Sequence, residues 1–289
     1  MQAADVSGAQ VTGGTVSGVP LDAATGAAPP VEPFVPGAVP LAILVDYDGT
    51  IALTDVSDTV TAEHVPGAWE ELAARYDAGL LGSRGLMEWE IGLIQAEGAD
   101  LLATAARQPH DPGFVPFVRR AQAAGIPVEV VSDGFGFFIE PALQRLGVPE
   151  LPVVTARTTF ASDRASIAFP NGHPACFVCG TCKRQRVLAH QAAGRAVLFI
   201  GDGESDRYAA GHADLVFAKR ALVPICLANG WPFRRWTQFS EIHAWLNELL
   251  DQWRRDPHSP PLPRPVARPF FCGPEVWGAG RFDPPQPPD

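Results

Sequence analysis

From residue 41 to about residue 250, short apolar runs alternate with stretches of helical periodicity. Leu41-Ala-Ile-Leu-Val45, Pro127-Val-Glu-Val-Val131, Ala196-Val-Leu-Phe-Ile200 and Leu215-Val-Phe-Ala218 are each four or five residues of mostly Val, Ile, Leu and Phe, bounded by Gly, Pro, Asp or Ser. Runs of that length without polar alternation predict strands buried on both faces, as in a parallel sheet. Between residues 67 and 107 the pattern changes. Trp69-Glu-Glu-Leu-Ala-Ala-Arg75 and Leu86-Met-Glu-Trp-Glu-Ile-Gly-Leu-Ile94 space their apolar residues at helical intervals, so Trp89 and Met87 read as helix-packing residues. The interval from Asp46 to Ser132 is far longer than a sheet crossover needs, which predicts a helical cap inserted over residues 59–112. Arg157-Thr-Thr-Phe160 and Ala165-Ser-Ile-Ala-Phe169 read as a hairpin. Strands alternating with helices predict an α/β fold with a mainly parallel sheet and right-handed crossovers.

Three of the predicted strands end on polar groups. The first runs into Asp46-Tyr-Asp48-Gly-Thr50, the second into Ser132-Asp133-Gly134, the third into Gly201-Asp202-Gly-Glu-Ser-Asp206. Open α/β sheets bind ligands at the carboxyl ends of their strands. The glycine turn after Asp48 lets Asp46 and Asp48 wrap around one point, where two carboxylates repel unless a cation lies between them. An oxygen-ligated Mg²⁺ open to a phosphate satisfies that arrangement. The Ser132 hydroxyl and the backbone N–H groups of Asp133 and Gly134, at a predicted helix start, suit phosphate oxygens. Of 22 Lys plus Arg, only Lys183 and Lys219 are lysines. A lysine kept in so arginine-rich a chain points to a compact ammonium used as a point charge against phosphate, and Lys183, near a predicted helix start, is the candidate.

Taken together, Asp46-Tyr-Asp-Gly-Thr50, Ser132, Lys183 and Gly201-Asp-Gly-x-x-Asp206 resemble, in order, the four motifs of the haloacid dehalogenase superfamily of phosphatases, over roughly residues 41–250. The resemblance implies a Rossmann-like core (residues 39–58 and 113–252) with the helical insert in the cap position of the phosphoserine-phosphatase branch. It implies an aspartyl-phosphate on Asp46, with Asp48 as general acid and base. It implies Mg²⁺ held by Asp46, the Asp48 backbone carbonyl and Asp202, and phosphate bound by Ser132 and Lys183. Thr50 and Asp206 fall behind these groups, Asp206 orienting Lys183 or a metal-bound water. Asp55 stands where phosphoserine phosphatases carry a glutamate, and Gly49 where they carry a serine. These departures, and Cys179-Gly-Thr-Cys-Lys183, look like the methionine-salvage branch acting on 2-hydroxy-3-keto-5-methylthiopentenyl-1-phosphate. Asp55 equally suits the cap of the following helix. Arg84 is a substrate-side candidate or a solvated surface arginine.

Cys176-x-x-Cys179-x-x-Cys182 admits three readings: a zinc site with His173 as fourth ligand, a labile disulfide, or reduced thiols packed in a loop. A net charge of −10 and a pI near 5.1 disfavour nucleic acid. No apolar run approaches the roughly 20 residues that span a bilayer. The first Lys or Arg is Arg75, unlike a basic leader, so a cytoplasmic monomer or homodimer acting on a small phosphorylated metabolite is expected. Residues 1–38, poor in charge, and the Pro-rich 253–289 read as unstructured extensions, with Phe270, Phe271 and Trp277 able to dock locally. A phosphotransferase with the same first half-reaction, and a non-catalytic regulator on the same fold, remain the alternative readings.

Overall fold

A computed structural model describes residues 26–258 except 66, 68, 162, 163 and 175, together with 261–262 and a short antiparallel pair, β1 (Thr15–Val16) and β2 (Val19–Pro20). The centre is a six-stranded sheet in the order β10-β9-β8-β3-β4-β5, every neighbouring pair parallel. Its strands are β3 (Leu41–Val45), β4 (Val128–Val131), β5 (Val153–Val154), β8 (Ala196–Gly201), β9 (Leu215–Ala218) and β10 (Phe233–Arg235). Alternate residues of β3 enter opposite cores, as the two-residue side-chain period requires. Leu41, Ile43 and Val45 join a core with α5 (Phe114–Ala123), α6 (Ile139–Leu146) and α10 (Phe239–Arg255). Leu44 packs instead with residues of α7 (Lys183–Ala192), α8 (Arg207–Ala210) and α9 (Leu222–Asn229) on the other face.

Register places the chemistry. Val45 of β3 lies opposite Ile200 on one side and Val130 on the other. Asp46, Ser132 and Asp202 therefore leave three adjacent strands within a residue or two of the same edge. The chain passes from β3 to β4 on one side and later returns to β8 on the other, so this edge is a topological switch point.

The insert holds α1 (Val56–His64), α2 (Trp69–Asp77), α3 (Ser83–Leu93) and α4 (Gly98–Ala106). Its two connections are pinned together by Leu53 N donating to Pro109 O at 2.8 Å and Asp111 N to Ile51 O at 3.0 Å. The hairpin of β6 (Arg157–Phe160) and β7 (Ala165–Ala168) packs against α3.

Three features depart from the sequence reading. Residues 26–38 are tied to the core: Arg186 and Arg195 donate to the Pro29 and Glu32 carbonyls at 3.0 and 2.6 Å, and Phe34 N donates to Ala193 O at 2.9 Å. Those contacts use backbone carbonyls, which leave no trace in composition. The rest of the predicted N-terminal extension lies outside the described residues, apart from β1 and β2. At the other end α10 runs to Arg255 and Leu262 is buried in the main core, while Phe270, Phe271 and Trp277 lie outside the described residues. The third departure is α6, which starts at Ile139, so Ser132–Phe138 is a loop rather than a helix start.

Candidate active site

Asp46 leaves β3 and is 5% exposed. Lys183, the first residue of α7, is 2% exposed. Its Nζ donates to Asp46 Oδ1 at 2.8 Å, to Asp206 Oδ1 at 2.7 Å and to Ser205 Oγ at 3.3 Å. Asp206 Oδ2 in turn accepts the N–H groups of Asp202 and Gly203 at 2.8 and 3.0 Å, fixing the turn after β8. Burial works against the charged form of Lys183, but the carboxylates of Asp206 and Asp46 outweigh it and hold the ammonium charged.

The turn after Asp46 depends on a glycine. Asp48 (φ −65°, ψ 132°) and Gly49 (φ 65°, ψ −8°) have the backbone of a type II turn, whose third position needs positive φ. A Cβ at Gly49 would also meet Asp202 Oδ2 at 2.2 Å. The turn sends Asp48 toward the start of α1, where Oδ1 accepts Val56 N at 2.9 Å and Oδ2 accepts the Ser57 hydroxyl at 3.2 Å. Burial, reinforced by Asp55, pushes the Asp48 carboxyl well above the carboxylate range.

The second strand end lies against Asp48. A Cβ on Gly134 would sit 2.6 Å from Asp48 Oδ2 and 3.3 Å from Ser132 Oγ. Gly134→Ala is therefore expected to cost at least roughly 10²-fold in kcat/KM by displacing Asp48 or the loop. Steady-state kinetics beside a melting curve separate that loss from unfolding. Ser132 is fully buried and its hydroxyl has no hydrogen-bond partner among the described residues. Since buried polar atoms in folded proteins are nearly always paired, an orphaned hydroxyl beside Asp48 fits a ligand oxygen. The Thr181 hydroxyl, two residues before Lys183, is likewise buried and unpartnered.

Asp46, Asp202 and Asp206 offer carboxylate oxygens all within 4.8 Å of one another. Thr50 Oγ1 donates to Asp202 Oδ1 at 3.0 Å and Arg220 donates to Asp202 Oδ2 at 3.1 Å. Burial and then Asp206 push Asp202 from 3.8 up to about 6, and burial with Asp206 raises Asp46 despite Lys183. Three acids against one buried lysine leave an excess of negative charge, and an all-oxygen donor set suits Mg²⁺. A testable consequence follows from linkage. The native state without metal retains a proton on Asp202 that the unfolded chain has lost, so this group's stabilisation fades as pH rises from about 4 through about 6. Mg²⁺ bound there would take the place of that proton, so it is expected to raise the melting temperature more at about pH 8 than at about pH 5. Equal shifts at both values would contradict this assignment.

The other candidates make other contacts, although Asp55 lies close enough to Asp48 to raise its carboxyl. Asp55 is exposed and caps α1, Oδ1 accepting Asp58 N at 2.9 Å. Arg84 lies 4.8 Å over the Phe169 ring, 3.6 Å from Glu88, and reaches the Cys176 carbonyl at 3.5 Å. It faces the hairpin and the cysteine loop instead of the Asp46–Lys183 centre. The Asp133 carboxylate also turns away, toward Ser83 and Thr181. Cys176, Cys179 and Cys182 are not joined in disulfides. Among the described residues the only cluster of three metal-capable side chains is Asp46, Asp202 and Asp206, while Cys176 and Cys179 meet in a thiol hydrogen bond. Sequence reasoning missed Ser205, Ser57, Ser83, Thr181 and Arg220. Ser205 stood inside a motif already singled out. Arg220 was given no role by the sequence, yet it is the one described non-glycine residue with positive φ, 46°, an uncommon conformation for a bulky side chain.

Comparison with known proteins adds a second line. Residues 43–211 match the haloacid dehalogenase-like hydrolase family. Curated relatives include the 2-hydroxy-3-keto-5-methylthiopentenyl-1-phosphate phosphatases of Brevibacillus brevis and Lysinibacillus sphaericus. Both are 28% identical to the chain, over 229 and 220 residues, covering 73% and 72% of it and 97% and 95% of the relatives. Among solved structures, a phosphoserine phosphatase from T. onnurineus superposes with a TM-score of 0.56 at 17% identity, covering 74% of this chain and 97% of that one. A HAD family hydrolase from Salmonella enterica gives 0.54 at 18% identity over 65% and 66%.

Proposed function

The chain belongs to the haloacid dehalogenase-like hydrolase family, and on that premise we propose that it is a Mg²⁺-dependent phosphatase working through an aspartyl-phosphate on Asp46. The observation that carries the reading is the separation of the two aspartates' environments. Asp46 is held 2.8 Å from the Lys183 ammonium, which favours its ionised, nucleophilic form. Asp48 accepts from Val56 N and the Ser57 hydroxyl and has Asp55 nearby, which with its burial favours its protonated form. Burial raises both carboxyl groups, but only Asp46 has an ammonium in contact to oppose that rise, and this difference in partners suits the pair to nucleophile and general acid.

In the first step Asp46 attacks phosphorus in line while Asp48 gives its proton to the departing oxygen. In the second, Asp48 takes a proton from the water that attacks the aspartyl-phosphate. Lys183 and Ser132 bind phosphate oxygens, and Asp206 keeps the lysine aimed. Asp46, Asp202 and the Asp48 carbonyl would hold Mg²⁺, with Thr50 orienting Asp202. When bound, the metal offsets the repulsion between an anionic nucleophile and an anionic ester.

For the substrate we propose 2-hydroxy-3-keto-5-methylthiopentenyl-1-phosphate, the ester named in the curated relatives. The use of Asp55 as a helix cap, where phosphoserine phosphatases place a glutamate, agrees with that choice. Phosphate release from this ester, phosphoserine and a set of sugar phosphates, with and without Mg²⁺, tests it. Metal-dependent release with highest kcat/KM for the thiopentenyl ester is expected. A preference for phosphoserine would overturn the substrate, and no release from any ester the function. Among the described residues no helix is long and apolar enough to cross a membrane.

A further inference from the structure

Asp133 sits between the helical insert and the loop that presents Lys183. Its Oδ2 lies 2.5 Å from Ser83 Oγ, at the first residue of α3 in the helical insert. Its Oδ1 accepts Thr181 N at 2.8 Å, and the Gly180 N–H also bonds to the carboxylate. Thr181 is two residues before Lys183, and its carbonyl accepts Lys183 N at 3.1 Å. The same face of the insert is locked by a second set of contacts. Val178 O accepts Arg84 N at 2.9 Å and the Ser83 hydroxyl at 3.2 Å. The backbones approach so closely there that a Cβ on Gly82 would meet Val178 O at 2.5 Å. Along the chain, Asp133 is flanked by Ser132, whose hydroxyl is orphaned, and by Gly134, which touches Asp48.

We propose that Asp133 is a positioning residue that fastens the helical insert to the loop presenting Lys183, so that seating the insert and placing the ammonium are one event. The inference rests on the phosphatase reading for its kinetic consequences but not for its structural ones. The carboxylate already has three donors, so it has little left to offer a substrate, and its charge would oppose a phosphate. What it supplies is geometry. Ser83 and Thr181 are far apart in sequence and belong to different parts of the fold, and Asp133 is the side chain that bonds to both. Loss of the join leaves α3 and residues 178–182 to move independently, and a displacement of about 1 Å at Lys183 is enough to cost roughly 10²-fold in rate.

Three variants test this. Asp133→Ala is expected to lower kcat/KM by roughly 10²-fold, with most of the loss in kcat. Ser83→Ala should lower it less, and the double variant should be no worse than Asp133→Ala, because both break one join. Asp133→Asn should retain most of the wild-type activity. The asparagine oxygen still accepts from Thr181, its NH₂ donates to Ser83 Oγ, and the Ser83 hydroxyl donates to Val178 O. Additive effects of Ser83→Ala and Asp133→Ala, or an Asp133→Asn variant as impaired as Asp133→Ala, would overturn the proposal in favour of a charge acting on substrate. Hydrogen exchange gives a readout independent of turnover. The Arg84 and Thr181 amides should exchange faster in Asp133→Ala and Ser83→Ala than in the wild type or Asp133→Asn. Unchanged exchange overturns the join even if activity falls. Faster exchange supports it even if the wild type releases phosphate from none of the esters, an outcome that would sink the proposed function alone.

Discussion

Asp46→Asn is expected to lower phosphate release by roughly 10⁴-fold or more, the scale seen when a covalent nucleophile is removed and only binding and electrostatics remain. The protein should still fold. Asp46 is a buried acid whose burial and whose neighbour Asp206 raise its proton affinity, so a neutral isostere relieves a cost of the native state. Lys183 keeps Asp206 at 2.7 Å as its partner. The melting temperature without metal should stay level or rise, while the increase produced by Mg²⁺ should shrink, since one of three converging carboxylates is gone. A variant that is inactive yet at least as stable without metal separates a chemical role from a structural one.

Lys183→Met should be damaging in both respects. Removing one preorganised positive group from a phosphate site is expected to cost roughly 10²- to 10³-fold in kcat. It also leaves Asp46 and Asp206, both nearly inaccessible, facing each other without the ammonium between them. Breaking a buried ion pair by deleting one partner typically destabilises by about 3–5 kcal/mol. Because the stranded acids can take up protons, the loss should be smallest in mildly acidic buffer. Lys183→Arg should not restore activity. The ammonium is 2% exposed and touches three oxygens between 2.7 and 3.3 Å, a geometry for a compact head and not for a planar fork. An Arg variant with near wild-type kcat would show that charge alone suffices at this position.

The frame of this site was legible because each strand announces itself by an apolar run and then stops on a polar group. Leu41–Val45 followed by Asp46, and Ala196–Ile200 followed by Gly201-Asp202, need no tertiary information to suggest a sheet edge lined with acids. The register that brings Asp46 beside the β4 and β8 ends follows once those strands are parallel neighbours. Other features were invisible for equally physical reasons. Val153–Val154 is too short to show a period, and Phe233–Arg235, an edge strand with two exposed arginines, shows no apolar pattern. Asp133 read as part of a phosphate loop because its neighbours do. Only the fold shows its carboxylate committed to Ser83, fifty residues upstream. The sequence assigns Arg220 no role, and its left-handed backbone and bond to Asp202 emerge only with the turn after β9. The cysteines show a regular spacing that left several readings open, and the fold brings Cys176 and Cys179 into a thiol hydrogen bond.

The covalent intermediate is the centre of the account, and trapping it tests the account most directly. Wild-type protein mixed with a hydrolysable phosphate ester labelled in its phosphoryl group, quenched in acid within a single turnover and digested, should carry label on the peptide containing Asp46. That label should be released by hydroxylamine, as an acyl phosphate is, and should be absent from Asp46→Asn. Phosphate release at the wild-type rate with no protein-bound label, or with label on any residue other than Asp46, would contradict it.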